Sequence, residues 1–177
     1  MEQPVNEQEE QQPVQEKSYE ILELERADAF KKIKSGANWF FWIAALSFIN
    51  SLILGNSATP VSFIAGLSIT QMVDVMVIGF YGEHHVAATC INLFIAGAFV
   101  LIGIKAGNAN RAAFITGMSL YVADAFIFMY FEAWKEFAFH ALAFYFIFKG
   151  YKAISELNHI QDKMAIDHLV ANTDEGM

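Results

Sequence analysis

Apolar residues dominate five blocks of the chain: Trp39 to Leu54, Val61 to Phe80, Val86 to Ile104, Ala112 to Phe131 and Trp134 to Phe148. A helix needs about 20 apolar residues to cross a hydrocarbon core, with a lower range near 17. The middle three blocks satisfy that length and the outer two are short, so the pattern predicts an all-α membrane bundle of four to five hydrophobic helices over 38–150. Ahead of the first block, Ile21, Leu22, Ala29, Phe30 and Ile33 recur at roughly helical spacing among Glu20, Glu23, Glu25, Lys31, Lys32 and Lys34. This predicts a juxtamembrane amphipathic helix over 17–37, broken at Ser35 and Gly36, with Asn38 capping the next helix. Beyond Lys149, the positions of Tyr151, Ile154, Leu157 and Met164 continue a helical pattern into a polar tail, 151–177, expected to end disordered around Asp174 to Met177. Residues 1–16, rich in Glu, Gln and Pro, have too little apolar surface to offset ordering entropy and are expected to be disordered.

Charge placement complicates the topology. Lys31, Lys32 and Lys34 precede the first block, Lys105 and Arg111 bracket the loop after the third, and Lys149 and Lys152 follow the fifth. The positive-inside bias would place all three groups, and with them the N-terminus, in the cytoplasm, which five full spans forbid. Four spans plus one re-entrant or interfacial segment, either Trp39 to Leu54 or Val61 to Phe80, reconcile them. An internal similarity, Phe63-Ile-Ala-Gly66-Leu-Ser68-Ile against Phe114-Ile-Thr-Gly117-Met-Ser119-Leu, each followed by an aspartate, suggests a duplicated helical hairpin and points to the first block as the one that does not span.

Composition narrows the class further. With 55% hydrophobic, 15% aromatic and 17% charged residues among 177, the chain suits one small membrane domain and is too apolar for an ordinary soluble one. The net charge of -8 comes mostly from the two tails, and without a basic face nucleic-acid binding is not expected. Cys90 stands alone, which excludes an intramolecular disulfide and a Cys-based zinc knuckle. The N-terminus lacks the basic and apolar regions of a cleavable signal, so insertion is expected to be directed by the first internal apolar block. Trp39, Trp42, Tyr130, Trp134, Tyr145 and Tyr151 mostly lie near block ends, where amphipathic rings favour the headgroup zone.

Ionisable groups at membrane depth are costly and normally face the bundle interior with a partner. In a tight hairpin turning at Gly82-Glu83-His84-His85, Asp74 and Asn92 share one level, and Asp124 and His140 do so across the turn at Glu132 to Glu136. Gln71 lies on the face of Asp74, and Tyr121 and Gly117 on that of Asp124, while Ser47, Asn50 and Ser51 form a small polar stripe on the first block. Gln71, Asp74, Asn92, Tyr121, Asp124 and His140 are therefore expected to form one intramembrane polar layer. Two uses are open: a proton or cation relay through Asp74, Asp124 and His140, or interhelical hydrogen bonding that fixes register, with small residues such as Gly66, Gly97, Ala98, Gly103 and Gly117 allowing close approach. Register is the favoured use, because a bundle this small leaves little room for a substrate cavity. Glu83, His84 and His85 carry metal-ligand chemistry, but adjacent histidines diverge and a water-facing turn explains them better. No cofactor is expected. Gly66-Leu-Ser68 and Gly117-Met-Ser119 with His140 superficially resemble the serine and histidine of rhomboid-type proteases, yet neither serine is followed by glycine and the chain is short of that family's six-helix core.

At Asn38-Trp39-Phe-Phe-Trp42-Ile-Ala-Ala with Asn50-Ser51, at Gly66-Leu-Ser-Ile-Thr-Gln71 with Asp74, and at Phe139-His140-Ala and Phe148-Lys149-Gly150, the chain resembles small multi-pass bacterial membrane proteins that carry no assigned activity. The resemblance covers about Ser35 to Ala153 and implies fold and an inner-membrane location only. The sequence leads to a non-enzymatic scaffold, assembly or accessory component that contacts lipid, a membrane or cytosolic protein, and a second copy of itself. The alternative is a small transporter or proton-coupled channel.

Overall fold

The computed structural model describes residues 7–56, 66–82 and 86–174, and these fold into five helices: α1 (Glu7–Asn56), α2 (Ser68–Tyr81), α3 (Val86–Gly107), α4 (Arg111–Tyr130) and α5 (Trp134–Asp174). The bundle is all-α, as the periodicity predicts. Residues 1–6, 57–65, Glu83, His84, His85 and 175–177 lie outside the described residues, and with them the start of the second apolar block, the weak metal candidates and the end of the C-terminal tail.

α1 corrects three expectations. It is one unbroken helix of 50 residues, beginning at Glu7 inside the stretch expected to be disordered and passing through Ser35, Gly36 and Asn38 without a break or cap. Its buried positions Ala29, Ile33, Ala37, Phe40, Ala44, Ser47 and Ser51 step by three or four residues along a single stripe, so one packing face carries both the charged and the apolar half. Gly36 sits where α1 meets α5. A methyl group there would lie 2.6 Å from the Cα of Gly150, so the glycine serves close backbone approach instead of helix termination. α5 supplies the antiparallel partner stripe of His140, Ala143, Ile147, Ile154, Leu157 and Ile160. Trp39 stacks on Phe146 with centroids 5.0 Å apart, and Lys32 pairs with Glu156 at 3.2 Å.

α3 and α4 complete the bundle. Gly103 of α3 receives the ring of Phe41, and Gly117 of α4 lies against the Phe40 ring, where an added methyl would come within 2.5 Å. The short turn between them is closed by Asn110, whose side chain accepts from the Ala113 amide at 2.9 Å and so caps α4.

α2 is the exception to spanning length. Its 14 residues rise roughly 21 Å, less than a hydrocarbon core of about 30 Å. It starts beside Asp124, inside the bundle, and ends at Gly82, whose left-handed φ of 75° and bond to the Ile78 carbonyl close the helix. The helix too short to cross by itself is therefore in the second apolar block. The first block, expected to be the one that does not span, belongs to a helix long and apolar enough to do so, as do α3 and α4.

The described residues of the two sequence-similar segments, 66–69 and 114–120, differ in local structure. Gly66 has φ of 121°, Leu67 is extended, and Ser68 opens a helix, whereas Phe114 to Leu120 lie within α4.

The surface is inverted relative to a water-soluble protein. Phe94 is 80% and Leu101 63% exposed, while Asp74 and Asn92 are fully buried and His140 is 2% exposed. Polar groups lie inside and apolar ones outside, the arrangement that a lipid solvent favours. By length and composition, three helices are capable of crossing a membrane.

Candidate functional site

The buried polar residues gather around the start of α2 in two tiers. In the deeper tier, Asp124 of α4 takes the first amides of α2: the Ser68 N–H donates to its Oδ2 at 2.9 Å and the Ile69 N–H to its Oδ1 at 3.0 Å. The Ser68 hydroxyl lies 2.8 Å from Oδ1 and 2.9 Å from the Asp124 carbonyl, and donates its one proton between them. Leu67, the residue before the helix, has no capping side chain of its own, so a carboxylate from a neighbouring helix takes that role. A negative charge at a helix N-terminus is also favoured by the helix dipole.

His140 of α5 completes this tier. Its Nδ1 lies 3.0 Å from the Glu136 carbonyl, one turn earlier, and its Nε2 lies 2.9 Å from Asp124 Oδ2. A carbonyl only accepts, so Nδ1 carries a proton. Nε2 and Oδ2 can then bond only through a further proton between them. The Asp124–His140 contact is thus bridged by one shared proton, beside the two α2 amides that the carboxylate accepts. Tyr121, three residues before Asp124, stacks on the imidazole with centroids 4.2 Å apart and planes 13° apart, and Phe128 meets it edge-on at 5.1 Å.

The second tier lies further along α2. Asn92 of α3 donates through Nδ2 to both Asp74 Oδ1 and Ser51 Oγ at 2.8 Å, and the Ser51 hydroxyl donates to Asp74 Oδ1 at 3.1 Å. Asp74 thus ties α1 and α3 to α2. Closer to the helix start, Ser47 donates to the Ile43 carbonyl and accepts from the Leu67 amide, both at 2.7 Å, and Thr70 donates to the Leu67 carbonyl at 2.7 Å.

The structure thus joins Asp74 to Asn92, and Asp124 to His140 and Tyr121, as the hairpin alignment predicts. It does not join the two sets into one layer. Six residues of α2 separate Ser68 from Asp74, a rise of roughly 9 Å, and α1 runs alongside with Ser47 at the helix start and Ser51 at Asp74. Gln71 enters neither hydrogen-bond set and is half-buried, with its Nε2 unpartnered among the described residues. Sequence reasoning missed the backbone amides of Leu67, Ser68 and Ile69, which are the donors that the polar side chains serve. A helix start inside an apolar block has no side-chain signature, although Gly66 ahead of Ser68 and Thr70 marks the place.

Serine chemistry has no support here. Ser68 and His140 both bind Asp124 and not one another, and Ser119 points outward. Among the described residues no group of three His, Cys, Asp or Glu could hold a metal. The cavity beside His140, about 200 Å³, is lined by Tyr121, Val122, Phe126, Phe137 and Phe144 among others and is almost wholly apolar. Comparison of the chain with protein-family models, curated proteins and solved structures finds no match.

Proposed function

We propose that this chain is a multi-pass membrane scaffold or accessory protein, of the bacterial inner-membrane kind, that holds a helical stalk at the cytoplasmic face. The observation that carries the reading is the continuity of α1 and α5 beyond the apolar bundle. From Gly150 to Asp174, α5 extends roughly 36 Å further. It packs Ile154, Leu157 and Ile160 in the same core as Leu22, Ala29 and Ile33 of α1. The outer faces carry Glu20, Glu23, Asp28, Lys163, Asp167 and His168, a surface suited to water and to a protein partner.

Sidedness follows from charge. Gly36 against Gly150, Ala37 against Gly107 and Arg111 against Tyr151 set Lys31, Lys32, Lys34, Lys105, Arg111, Lys149 and Lys152 at one end of the bundle. The turn between α4 and α5 at the other end has Lys135 as its basic residue. The positive-inside bias then assigns the stalk and the N-terminus to the cytoplasm.

The polar tiers act structurally in this reading. They secure a half-crossing helix whose N-terminal amides would otherwise be unsatisfied in lipid. The competing reading, a small transporter or proton-coupled channel, draws on the shared proton of Asp124 and His140. Reconstitution of the full-length protein into sealed vesicles containing a pH-sensitive dye separates them. The scaffold reading predicts proton flux equal to that of protein-free vesicles under an imposed potential. Flux that Asp124→Asn abolishes would overturn it.

A further inference from the structure

We infer that the base of the stalk holds a binding site for the phosphate headgroup of an anionic phospholipid, centred on Arg111, Tyr151 and Lys152. The inference rests on the membrane reading and adds a ligand to it. A cavity of about 330 Å³ opens at this level, lined by Arg111, Tyr151, Lys152, Ser155, Glu156 and Asn158. That is room for a phosphodiester with its glycerol carbons.

The lining is built to present positive charge. Arg111 donates through Nε to the Tyr151 hydroxyl at 2.9 Å, and its guanidinium carbon lies 5.4 Å from the centre of that ring. One edge of the guanidinium is thereby fixed, and the terminal amino groups remain for a ligand. Lys152 reaches back over Phe148, its Nζ 5.3 Å from the ring centre. Among the described residues no carboxylate lies within ion-pair distance of Lys105, Arg111, Lys149 or Lys152. The acid in the lining, Glu156, pairs with Lys32 at 3.2 Å, an ammonium it shares with Asp28 at 3.0 Å. Arg111 is also the first residue of α4, whose amino-terminal end adds partial positive charge.

Depth identifies the source of the phosphate. Phe148, exposed on the apolar exterior, stacks on Tyr151 at 6.2 Å, so the cavity lies immediately beyond that exterior, at the height of lipid headgroups. Basic pockets at this boundary favour anionic lipids, because the headgroup supplies the charge while its acyl chains remain in the bilayer. A free phosphate has the same oxygen chemistry but no such anchor.

The test is native mass spectrometry of full-length protein released from vesicles of phosphatidylcholine mixed with phosphatidylglycerol. Wild type should retain phosphatidylglycerol in preference. Lys152→Gln should reduce that preference about fivefold, and Arg111→Gln with Lys152→Gln about 25-fold, from the usual contribution of a basic side chain near an anionic surface. Lys135→Gln, at the opposite end, should leave it unchanged. Lys152→Gln also guards against misfolding, since among the described contacts that side chain makes only its ring contact with Phe148. Equal retention of the two lipids, or a preference that survives the double variant, would overturn the inference while leaving membrane insertion intact. Inorganic phosphate displacing the lipid at comparable concentration would also overturn it, by showing that the acyl anchor contributes nothing. Loss of the membrane reading itself would be seen separately, as full-length protein in the aqueous fraction without detergent.

Discussion

Replacing Asp124 by alanine isolates the contribution of the carboxylate that caps α2. The substitution removes the acceptor of the Ser68 amide, the Ile69 amide and His140 Nε2, while the Ser68 hydroxyl keeps the Asp124 backbone carbonyl as an alternative. Each buried donor left without a partner costs about 1–3 kcal/mol, and partial relaxation places the sum at roughly 3–6 kcal/mol. Asp124→Asn should behave differently. Its single side-chain oxygen can keep the Ile69 amide and the Ser68 hydroxyl, and its NH₂ can donate to Nε2 of a neutral imidazole, so one amide is lost at about 1–2 kcal/mol. The assay is unfolding of the full-length protein in mild detergent by titration with dodecyl sulfate, followed by far-UV circular dichroism. A cycle with His140→Ala should give a coupling of about 1–3 kcal/mol, because the two side chains form one unit. Alanine and asparagine variants both as stable as wild type, or asparagine worse than alanine, would refute the capping argument.

Other substitutions probe the remaining contacts. Gly36→Ala should force α1 and α5 apart at their closest approach, lowering stability by about 1–3 kcal/mol in the same titration, since the added methyl would lie 2.6 Å from the Gly150 Cα. Gly66→Ala combines an unfavourable φ of 121° with a methyl 2.9 Å from Asn50 Nδ2 and 3.0 Å from the Ser47 Cα, and should be more costly than Gly82→Ala, where φ is 75° but nothing lies within 4 Å. A rank order in which Gly82→Ala is the more damaging would contradict this. Asn92→Leu should cost about 2–4 kcal/mol by removing both donors to Ser51 and Asp74, and thermal aggregation in detergent provides an independent readout.

Sequence and structure agree where side chains set the outcome. The pairs Asp74–Asn92 and Asp124–His140 follow from counting back along two hairpins, because helical rise fixes which residues share a height. The α1 stripe was legible through Leu22, Ala29 and Ile33, yet Ser35 and Gly36 read as a break and hid its continuation to Ala37 and Phe40. Local propensity marks glycine as a helix breaker, and only the opposite helix reveals that Gly36 and Gly150 permit contact. The second apolar block was one of two candidates for a segment that does not span, and the choice between them was not legible for another reason. That block is long enough to span, and the first amides of its helix are taken by a carboxylate 56 residues away, a pairing that no side-chain pattern displays.

The account depends most on every basic cluster lying at one end of the bundle, which requires that α2 does not cross. Single cysteines at Asn108, Lys135 and Ser155, introduced with Cys90→Ser in sealed vesicles and labelled with a membrane-impermeant maleimide, measure it directly. Cysteines at 108 and 155 should react from one side and that at 135 from the other. A cysteine at 24, in place of Leu24, should report from the same side as 108 and 155. Reaction of 24 and 108 from opposite sides would contradict the account.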